Sequence, residues 1–286
     1  MPSIALLDRF GFLSLTGKES LKFLQGYTTC DLDTLSPSDR FSINTSSIGA
    51  TLNIQGRVVS SYRIIATQDG FILRMPKQLV PVTQNFLQKY IVFSRAQMEN
   101  LSSELACYGL LGEEPVANAL PSEALEQVKD CYLVDTEDSC RVEIWCGKTW
   151  KPTEGMAVIG ENDWTLAEIQ NELAWIDRET TDQFLPQMLG YHNLGGISFQ
   201  KGCYLGQEIV ARMQYRGELK RKLHRARINS GVIPAPGQEI LNAEGTNAGE
   251  VIAAAKDKDQ IQMLVVLKEG QTGYSLTTGE PLTLSY

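Results

Sequence analysis

The sequence contains few histidines and no Cys-x-x-Cys pair, and both absences limit the chemistry that the protein can perform. His192 and His224 are its two histidines, so a zinc site built from cysteine and histidine would be hard to assemble. Its six cysteines are spread along 286 residues, and a chain of this length does not need a disulfide framework to fold. We therefore expect reduced thiols and no metal site.

Long apolar runs and a basic start are also missing. No stretch approaches the roughly 18 consecutive apolar residues that a membrane-spanning helix needs. The first ten residues lack the basic and then apolar pattern of a secretory signal. A hydrophobic content of 43% is nevertheless enough to bury a sizeable core. These features predict a cytoplasmic globular protein without a membrane partner.

Acidic residues outnumber basic ones, and the net charge of -8 should repel nucleic acid from the molecule as a whole. Direct tRNA binding is therefore not expected. The cations are unevenly distributed, because one short segment holds seven of them against the single acid Glu218. They are Arg212, Arg216, Lys220, Arg221, Lys222, Arg225 and Arg227. This segment is either a solvated strand face balanced by acids elsewhere or a binding surface for an anion.

The hydrophobic pattern predicts an α+β fold with several small domains. Strands are expected at 10–15 and 58–66, and a helix capped by Thr16 at 20–24. Another helix should follow Pro76. The predicted divisions are an α+β domain at 1–100 that is completed by the segment 161–218, a second α+β domain at 101–160, and a C-terminal domain at 219–286.

The later parts of the chain differ in their patterns of apolar and turn residues. Within the second domain, strands are expected at 106–111 and 141–146, with a helix at 122–129 between them. An amphipathic helix is predicted from 164 to 176. From residue 219 onward, short apolar runs alternate with Pro, Gly, Asn and Asp turns. That pattern is typical of a small antiparallel β-barrel.

Cys203 differs from the other cysteines in its surroundings. Lys201 places an ammonium group two residues away, Gly202 leaves room for access, and a helix or turn is expected to begin near Gly206. A nearby cation and a helix N-terminus both lower a thiol pKa. A functional thiol and a buried structural cysteine are equally good interpretations of Cys203 on these residues alone. The other five cysteines are read as small buried hydrophobes.

Four motifs in the second half of the chain closely resemble the signature of the YgfZ-type folate-binding proteins, which are relatives of the glycine-cleavage aminomethyltransferase. The motifs are Phe184-Leu-Pro-Gln187, Gly195-Gly-Ile-Ser-Phe199, Lys201-Gly-Cys-Tyr-Leu-Gly-Gln-Glu208 and Val210-Ala-Arg212. The eight-residue motif is highly specific. Shorter matches, each of little weight alone, extend the resemblance over the whole chain.

The resemblance implies a three-domain cloverleaf around a central pocket that holds tetrahydrofolate or a one-carbon derivative of it. It also implies a role in the assembly or repair of iron–sulfur proteins, including radical enzymes that thiolate tRNA. Through these partners the protein would affect tRNA processing and modification. A folate-dependent aminomethyl or one-carbon transferase is the alternative, and an RNA-binding module based on residues 212–227 is a third hypothesis.

Individual residues acquire roles from the same resemblance. Cys203 would be the functional thiol, with Lys201 beside it in the catalytic group. Cofactor contacts are implied for Phe10, Trp164, Tyr204, Gln207, Glu208 and Arg212. A pterin is flat and rich in donors and acceptors, so aromatic walls and a few fixed polar groups would suit it. Arg212 or Arg216 could neutralise the anionic folate tail. Trp164 fits a core position on an amphipathic helix equally well.

The chain departs from the family pattern at one acidic position. Relatives carry an Ile-Glu-x-Gly-x-Pro segment whose glutamate contacts the pterin, whereas Ile169 is followed here by Gln170. Glu172 would point about 200° away from Gln170 around a helix. An acid that would assist transfer chemistry is not identifiable, since Glu104 aligns ambiguously. Whether the protein is an enzyme therefore stays open.

Overall fold

Strands dominate the structure, a computed structural model that describes residues 2–38, 42–116, 131–152 and 156–285. The α-helices in these ranges are α1 (Ser20–Gln25), α2 (Val80–Ile91), α3 (Glu161–Gln170) and α4 (Gln207–Arg216). The strands are β1 (Ser3–Leu6), β2 (Phe10–Thr16), β3 (Ile43–Asn44), β4 (Ser47–Leu52), β5 (Val58–Thr67), β6 (Gly70–Pro76), β7 (Gln97–Asn100), β8 (Leu105–Leu111), β9 (Tyr132–Asp135), β10 (Arg141–Gly147), β11 (Arg221–Ile228), β12 (Glu239–Leu241), β13 (Asn247–Asp257), β14 (Gln260–Lys268), β15 (Ser275–Leu276) and β16 (Thr283–Ser285).

The first sheet contains five antiparallel strands in the order β4-β5-β6-β2-β7. The predicted strands at 10–15 and 58–66 are confirmed as β2 and β5, and the predicted helix after Pro76 is confirmed as α2. The predicted helix cap at Thr16 is wrong. Thr16 is the last residue of β2, and Glu19 precedes α1.

The second sheet, in the order β1-β8-β10-β9-β3, combines strands from both sides of residue 100. β1 pairs antiparallel with β8, and β3 pairs parallel with β9. The predicted strands at 106–111 and 141–146 are confirmed as β8 and β10. The predicted helix at 122–129 lies outside the described residues. Strand pairing thus links the first two predicted domains.

The third sheet is formed by residues after 219 in the order β15-β12-β13-β14-β11-β16. It is a curled half-barrel, which confirms the predicted small antiparallel β-barrel in part. The pairing register shifts between Val251 and Ala253 and again between Ile240 and Leu241. Such irregularities bend strands locally, which accounts for the curl of a sheet with only six strands.

Helix α3 is shorter than predicted, and its end shapes the centre of the molecule. It stops at Gln170, whereas the expected helix continued to residue 176. Glu172 adopts a left-handed φ of 55°, which breaks the helical path. The chain then runs through residues 173–177 without regular secondary structure. The apolar spacing that predicted a longer helix belongs instead to a non-helical segment.

A single hydrophobic core connects the three sheets. It includes Phe12 of the first sheet, Trp145 of the second, Ile169 of α3 and Ile252 of the third. The three sheets therefore share a common core, and the second and third sheets each also have a smaller buried cluster of their own. None of the helices in the described ranges combines the length and apolarity needed to cross a membrane.

Candidate functional site

Cys203 lies on a loop just before α4, within the segment 201–208, which we call the signature segment. Its side chain is exposed, whereas Cys30, Cys107, Cys131 and Cys146 are buried. A side chain added at the neighbouring Gly202 would meet no atom within 4 Å, so the chain beside the thiol is also open. The thiol is therefore accessible from the solvent.

Lys201 fixes the position of the signature segment. Its Nζ donates to the backbone oxygens of Thr28 (2.8 Å) and Cys30 (2.6 Å) and to Oε1 of Gln25 (3.1 Å). Burial lowers the pKa of Lys201 to about 8. Among the described residues, no hydrogen bond or ion pair joins Lys201 to Cys203. The ammonium group therefore ties the loop to the end of α1, a role that sequence reasoning did not assign to it.

Tyr204 packs inward next to the exposed thiol. It is buried, with its ring 5.1 Å from Nζ of Lys201, and burial raises its pKa to about 12. The hydroxyl group finds no hydrogen-bond partner in the described part of the chain. Oε1 of Gln207 accepts a bond from the backbone nitrogen of Tyr204 (3.3 Å), while Glu208 and Arg212 face solvent.

A cavity of about 570 Å³ lies where the first sheet, α3 and the third sheet meet. Its volume is within the range typical of small-molecule sites. Aromatic, aliphatic and charged side chains all contribute to its surface. The lining residues are Arg9, Phe10, Pro76, Lys77, Gln78, Thr165, Glu168, Leu173, Trp175, Asp177, Ile233, Pro234, Pro236, Ile252, Ala253 and Ala254. We call this space the central cavity.

Phe10 and Trp175 form an aromatic wall of the central cavity. Their rings meet edge to face, with centroids 6.2 Å apart and an interplanar angle of 81°. The guanidinium carbon of Arg74 lies 3.9 Å from the Phe10 centroid and 4.3 Å from that of Trp175. A cation at these distances stabilises both rings through cation–π attraction. The wall is thus held by a buried charge behind it.

Glu168 fixes the same wall from α3. This carboxylate is only 2% exposed, and its Oε1 accepts bonds from the indole nitrogens of Trp164 (3.0 Å) and Trp175 (2.9 Å). Its Oε2 pairs with Arg9. Because both oxygens are occupied, Glu168 holds Trp175 and Arg9 in place and has little capacity left for a ligand.

Behind the wall, a buried ion cluster joins the first two sheets. Glu143 of β10 accepts bonds from Nε of Arg74 (3.0 Å), Nε of Arg63 (3.3 Å) and the indole nitrogen of Trp145 (2.8 Å). Burial acts to raise the pKa of Glu143, but the two guanidinium groups lower it to about 2. Arg63 is also bonded by both terminal nitrogens to Glu137. The cluster is charged and internally paired at neutral pH.

The predicted site residues are divided between these two regions. Phe10 lines the central cavity, whereas Trp164 lies fully buried behind it and contacts Glu168. The remaining predicted residues do not line this cavity. They are Lys201, Cys203, Tyr204, Gln207, Glu208 and Arg212.

Sequence reasoning missed Trp175 and Asp177, which both line the cavity. The sequence did contain a signal, because every second residue of 173–177 lines the cavity. These residues are Leu173, Trp175 and Asp177, and the two between them, Ala174 and Ile176, are fully buried. Extending the helix of α3 to residue 176 concealed that two-residue period.

Comparisons with known proteins identify the relatives of this chain. No protein-family profile matches it. The tRNA-modifying protein YgfZ of Colwellia psychrerythraea is 32% identical over 237 residues, which cover 76% of this chain and 69% of the relative. The YgfZ protein of Photobacterium profundum is 29% identical, with 93% of this chain and 84% of the relative covered.

A solved structure shares the fold. The glycine cleavage system aminomethyltransferase T of Bartonella henselae superimposes with a TM-score of 0.71 at 12% sequence identity. The match covers 100% of this chain and 85% of that protein. At this identity the likeness establishes the architecture of the three sheets, and the roles of individual residues have to be argued from the site itself.

Proposed function

Because the chain belongs to the YgfZ family of tRNA-modifying proteins, we propose that it supports tRNA modification as a folate-binding accessory factor of iron–sulfur enzymes. The observation that carries the proposal is the pairing of an aromatic-walled central cavity with an exposed thiol elsewhere on the surface. The cavity is suited to a small ligand and the thiol to a macromolecule. Together they suit a protein that senses or uses a cofactor while it acts on a partner.

Tetrahydrofolate, or a one-carbon derivative of it, is the proposed ligand of the central cavity. Phe10 and Trp175 line the cavity with aromatic rings against which a pterin ring could pack, and the volume of about 570 Å³ admits such a ring. Lys77 brings positive charge to the same space, and Arg9 lies there as the ion-pair partner of Glu168. The cloverleaf expected from the resemblance would place this ligand at its centre, and the cavity lies where the first and third sheets meet α3.

Cys203 is the proposed functional thiol. A conventional iron–sulfur cluster takes four protein ligands, and the described residues contain no group of three or more His, Cys, Asp or Glu side chains placed to hold a metal. Cys203 would therefore act together with groups on another protein. Iron–sulfur proteins such as radical tRNA-thiolating enzymes are the proposed partners, and the cytoplasm is the proposed compartment.

The test combines Cys203→Ala with a titration of reduced folate and a measurement of thiolated tRNA in cells. We expect the dissociation constant for tetrahydrofolate to stay within about twofold of wild type, because the side chain does not line the cavity. Thiolated tRNA should fall to the level of a deletion strain. Cys140→Ala, a change at a half-buried cysteine, serves as the matched control.

Two outcomes contradict the proposal. Loss of folate binding together with loss of tRNA thiolation would make Cys203 a structural part of the folate site. Normal tRNA thiolation in the Cys203→Ala strain would remove the thiol from the function altogether.

A further inference from the structure

Two of the buried cysteines lie opposite each other in the second sheet. Strands β9 and β10 are antiparallel, and the last pair of residues at one end of their ladder is Tyr132 with Trp145. One position further along each chain, the same register places Cys131 opposite Cys146. Opposite positions in antiparallel strands have Cα atoms about 4.5–5.5 Å apart. Disulfides join Cα atoms about 4.4–6.8 Å apart, so the backbone is already placed for a bond between these two cysteines.

The side chains of Cys131 and Cys146 point to the same face of the sheet. Residues of a strand alternate between its two faces. Cys131 and Leu133 belong to one buried cluster, and Cys146 and Ile144 belong to the same cluster. Trp145, which lies between Ile144 and Cys146, belongs to the core on the other face. Cys131 and Cys146 are each 1% exposed, so both thiols lie inside this cluster.

The two thiols also contact each other. A hydrogen bond between the side chains of Cys131 and Cys146 raises the pKa of Cys146, and burial adds to the increase. The sulfurs of two other buried cysteines contact oxygens instead. Cys30 lies 3.3 Å from a threonine hydroxyl group, and Cys107 lies 3.7 Å from a carboxylate oxygen of Glu143. A thiol neighbour therefore distinguishes the pair from cysteines that are equally buried.

We propose that Cys131 and Cys146 are a modification site, at which a small peroxide such as hydrogen peroxide converts the dithiol to a disulfide. In the first step, one sulfur attacks a peroxide oxygen, which gives a sulfenic acid and one water. In the second step, the other thiol attacks that sulfur, which forms the S–S bond and releases a second water. Two thiols and one peroxide thus give one disulfide and two waters. This inference does not depend on the proposed folate function.

The position of the pair at the end of a ladder gives the oxidant a way in. Cys131 lies just before β9, and Cys146 is the last residue but one of β10. The ends of strands open locally at a lower free-energy cost than their centres. Because both thiols are buried, their oxidation should be slower than that of the exposed Cys203.

The disulfide would join the two strands that supply acids to the buried ion cluster. Glu143 is part of β10, Glu137 follows β9, and both carboxylates pair with Arg63. A cross-link between the strands reduces the conformational freedom of the unfolded chain. We therefore expect the oxidised protein to unfold at a temperature about 5 °C or more above that of the reduced protein.

The experiment uses the full chain with Cys140→Ala and Cys203→Ala, because these two cysteines are the more exposed ones. Of the six cysteines, four then remain. The folded protein is treated with increasing hydrogen peroxide and then unfolded in guanidinium, and its thiols are counted. We expect the count to fall from four to two, with the tryptic peptides 130–141 and 142–148 joined. Dithiothreitol should restore four thiols.

The same sample contains its own controls. Cys30 and Cys107 are as deeply buried as the pair and should remain reduced at peroxide concentrations that oxidise it. Cys131→Ala in the same background should lose no thiol at those concentrations, and its unfolding temperature should not rise. A cooperative unfolding transition shows that this variant is folded. If it is not folded, Cys146→Ala takes its place.

Three results would overturn the inference. The first is oxidation of Cys30 or Cys107 before the pair, which would show that the neighbouring thiol gives no advantage. The second is loss of thiols without the joined peptides 130–141 and 142–148. The third is a disulfide that leaves the unfolding temperature unchanged, since the bond would then not hold the two strands together.

Discussion

The central cavity and the signature segment are built in opposite ways. The cavity wall is assembled from side chains far apart in the sequence, with Phe10, Arg74, Glu143 and Trp175 held in one continuous set of contacts. The signature segment is one uninterrupted stretch of chain with an exposed thiol. The difference indicates that the first region depends on contacts among many elements of the fold, whereas the second depends mainly on the bonds of Lys201 to the end of α1 and the residues after it.

The largest expected effect is on the buried ion cluster. Glu143→Gln removes the charge that faces both Arg63 and Arg74 in a fully buried site, which leaves Arg74 without a carboxylate partner. Breaking a buried pair in this way costs about 3–5 kcal/mol of unfolding free energy. Urea denaturation at pH 7 measures this loss of unfolding free energy. As a control, Glu104→Gln on the exposed surface should change the unfolding free energy by less than about 0.5 kcal/mol. A loss below about 1 kcal/mol would show that the sheets do not depend on this cluster.

Acid should weaken the contact of Glu143 with Arg63 and Arg74 in the wild-type protein. The folded-state pKa of Glu143 is about 2, below its ordinary value of 4.5. The carboxylate therefore contributes stability that is complete above about pH 4.5 and is lost as the pH falls toward 2. By linkage the difference amounts to about 3 kcal/mol. Unfolding free energies measured between pH 6 and pH 2 should fall more steeply for wild type than for Glu143→Gln, and parallel curves would contradict the assignment.

A smaller effect is expected in the signature segment. Lys201→Met removes three hydrogen bonds that tie this segment to the end of α1, at a cost of about 1–3 kcal/mol. Cys203→Ala, two residues away, should change the unfolding free energy by less than about 0.5 kcal/mol because its side chain is exposed. Thermal and urea unfolding compare the two. If Cys203→Ala lost more unfolding free energy than Lys201→Met, the idea that Lys201 holds the segment in place while the thiol is free would be wrong.

Sequence patterns predicted the regular elements well because local apolar spacing determines them. Strands β2, β5, β8 and β10 lie close to their predicted positions, and α2 follows Pro76 as expected. The pairing of β1 and β3 with the second sheet could not be read in this way. Long-range packing determines which strands pair, and the residues of a short strand do not show which partner it will have.

The candidate site was predicted only where it is local. The motif around Cys203 lies on an exposed loop, and Phe10, which the resemblance implied as a cofactor contact, lines the cavity. Trp164 was named from the resemblance and lies buried behind the cavity, whereas Trp175, beyond the true end of the helix at Gln170, lines it. Helix α3 ends because Glu172 adopts a left-handed backbone conformation. Non-glycine residues rarely adopt this conformation, so the sequence does not predict it.

The pairing of β1 with β8 has a consequence for how the chain acquires its structure during synthesis. Ser3 is opposite Leu111, so the first strand emerges from the ribosome more than a hundred residues before its partner. At the usual rates of translation this is a delay of roughly 5–20 s. During that interval the nascent N-terminus carries an apolar strand with no neighbour, and we expect it to depend on chaperones or on transient contacts until the second sheet can close.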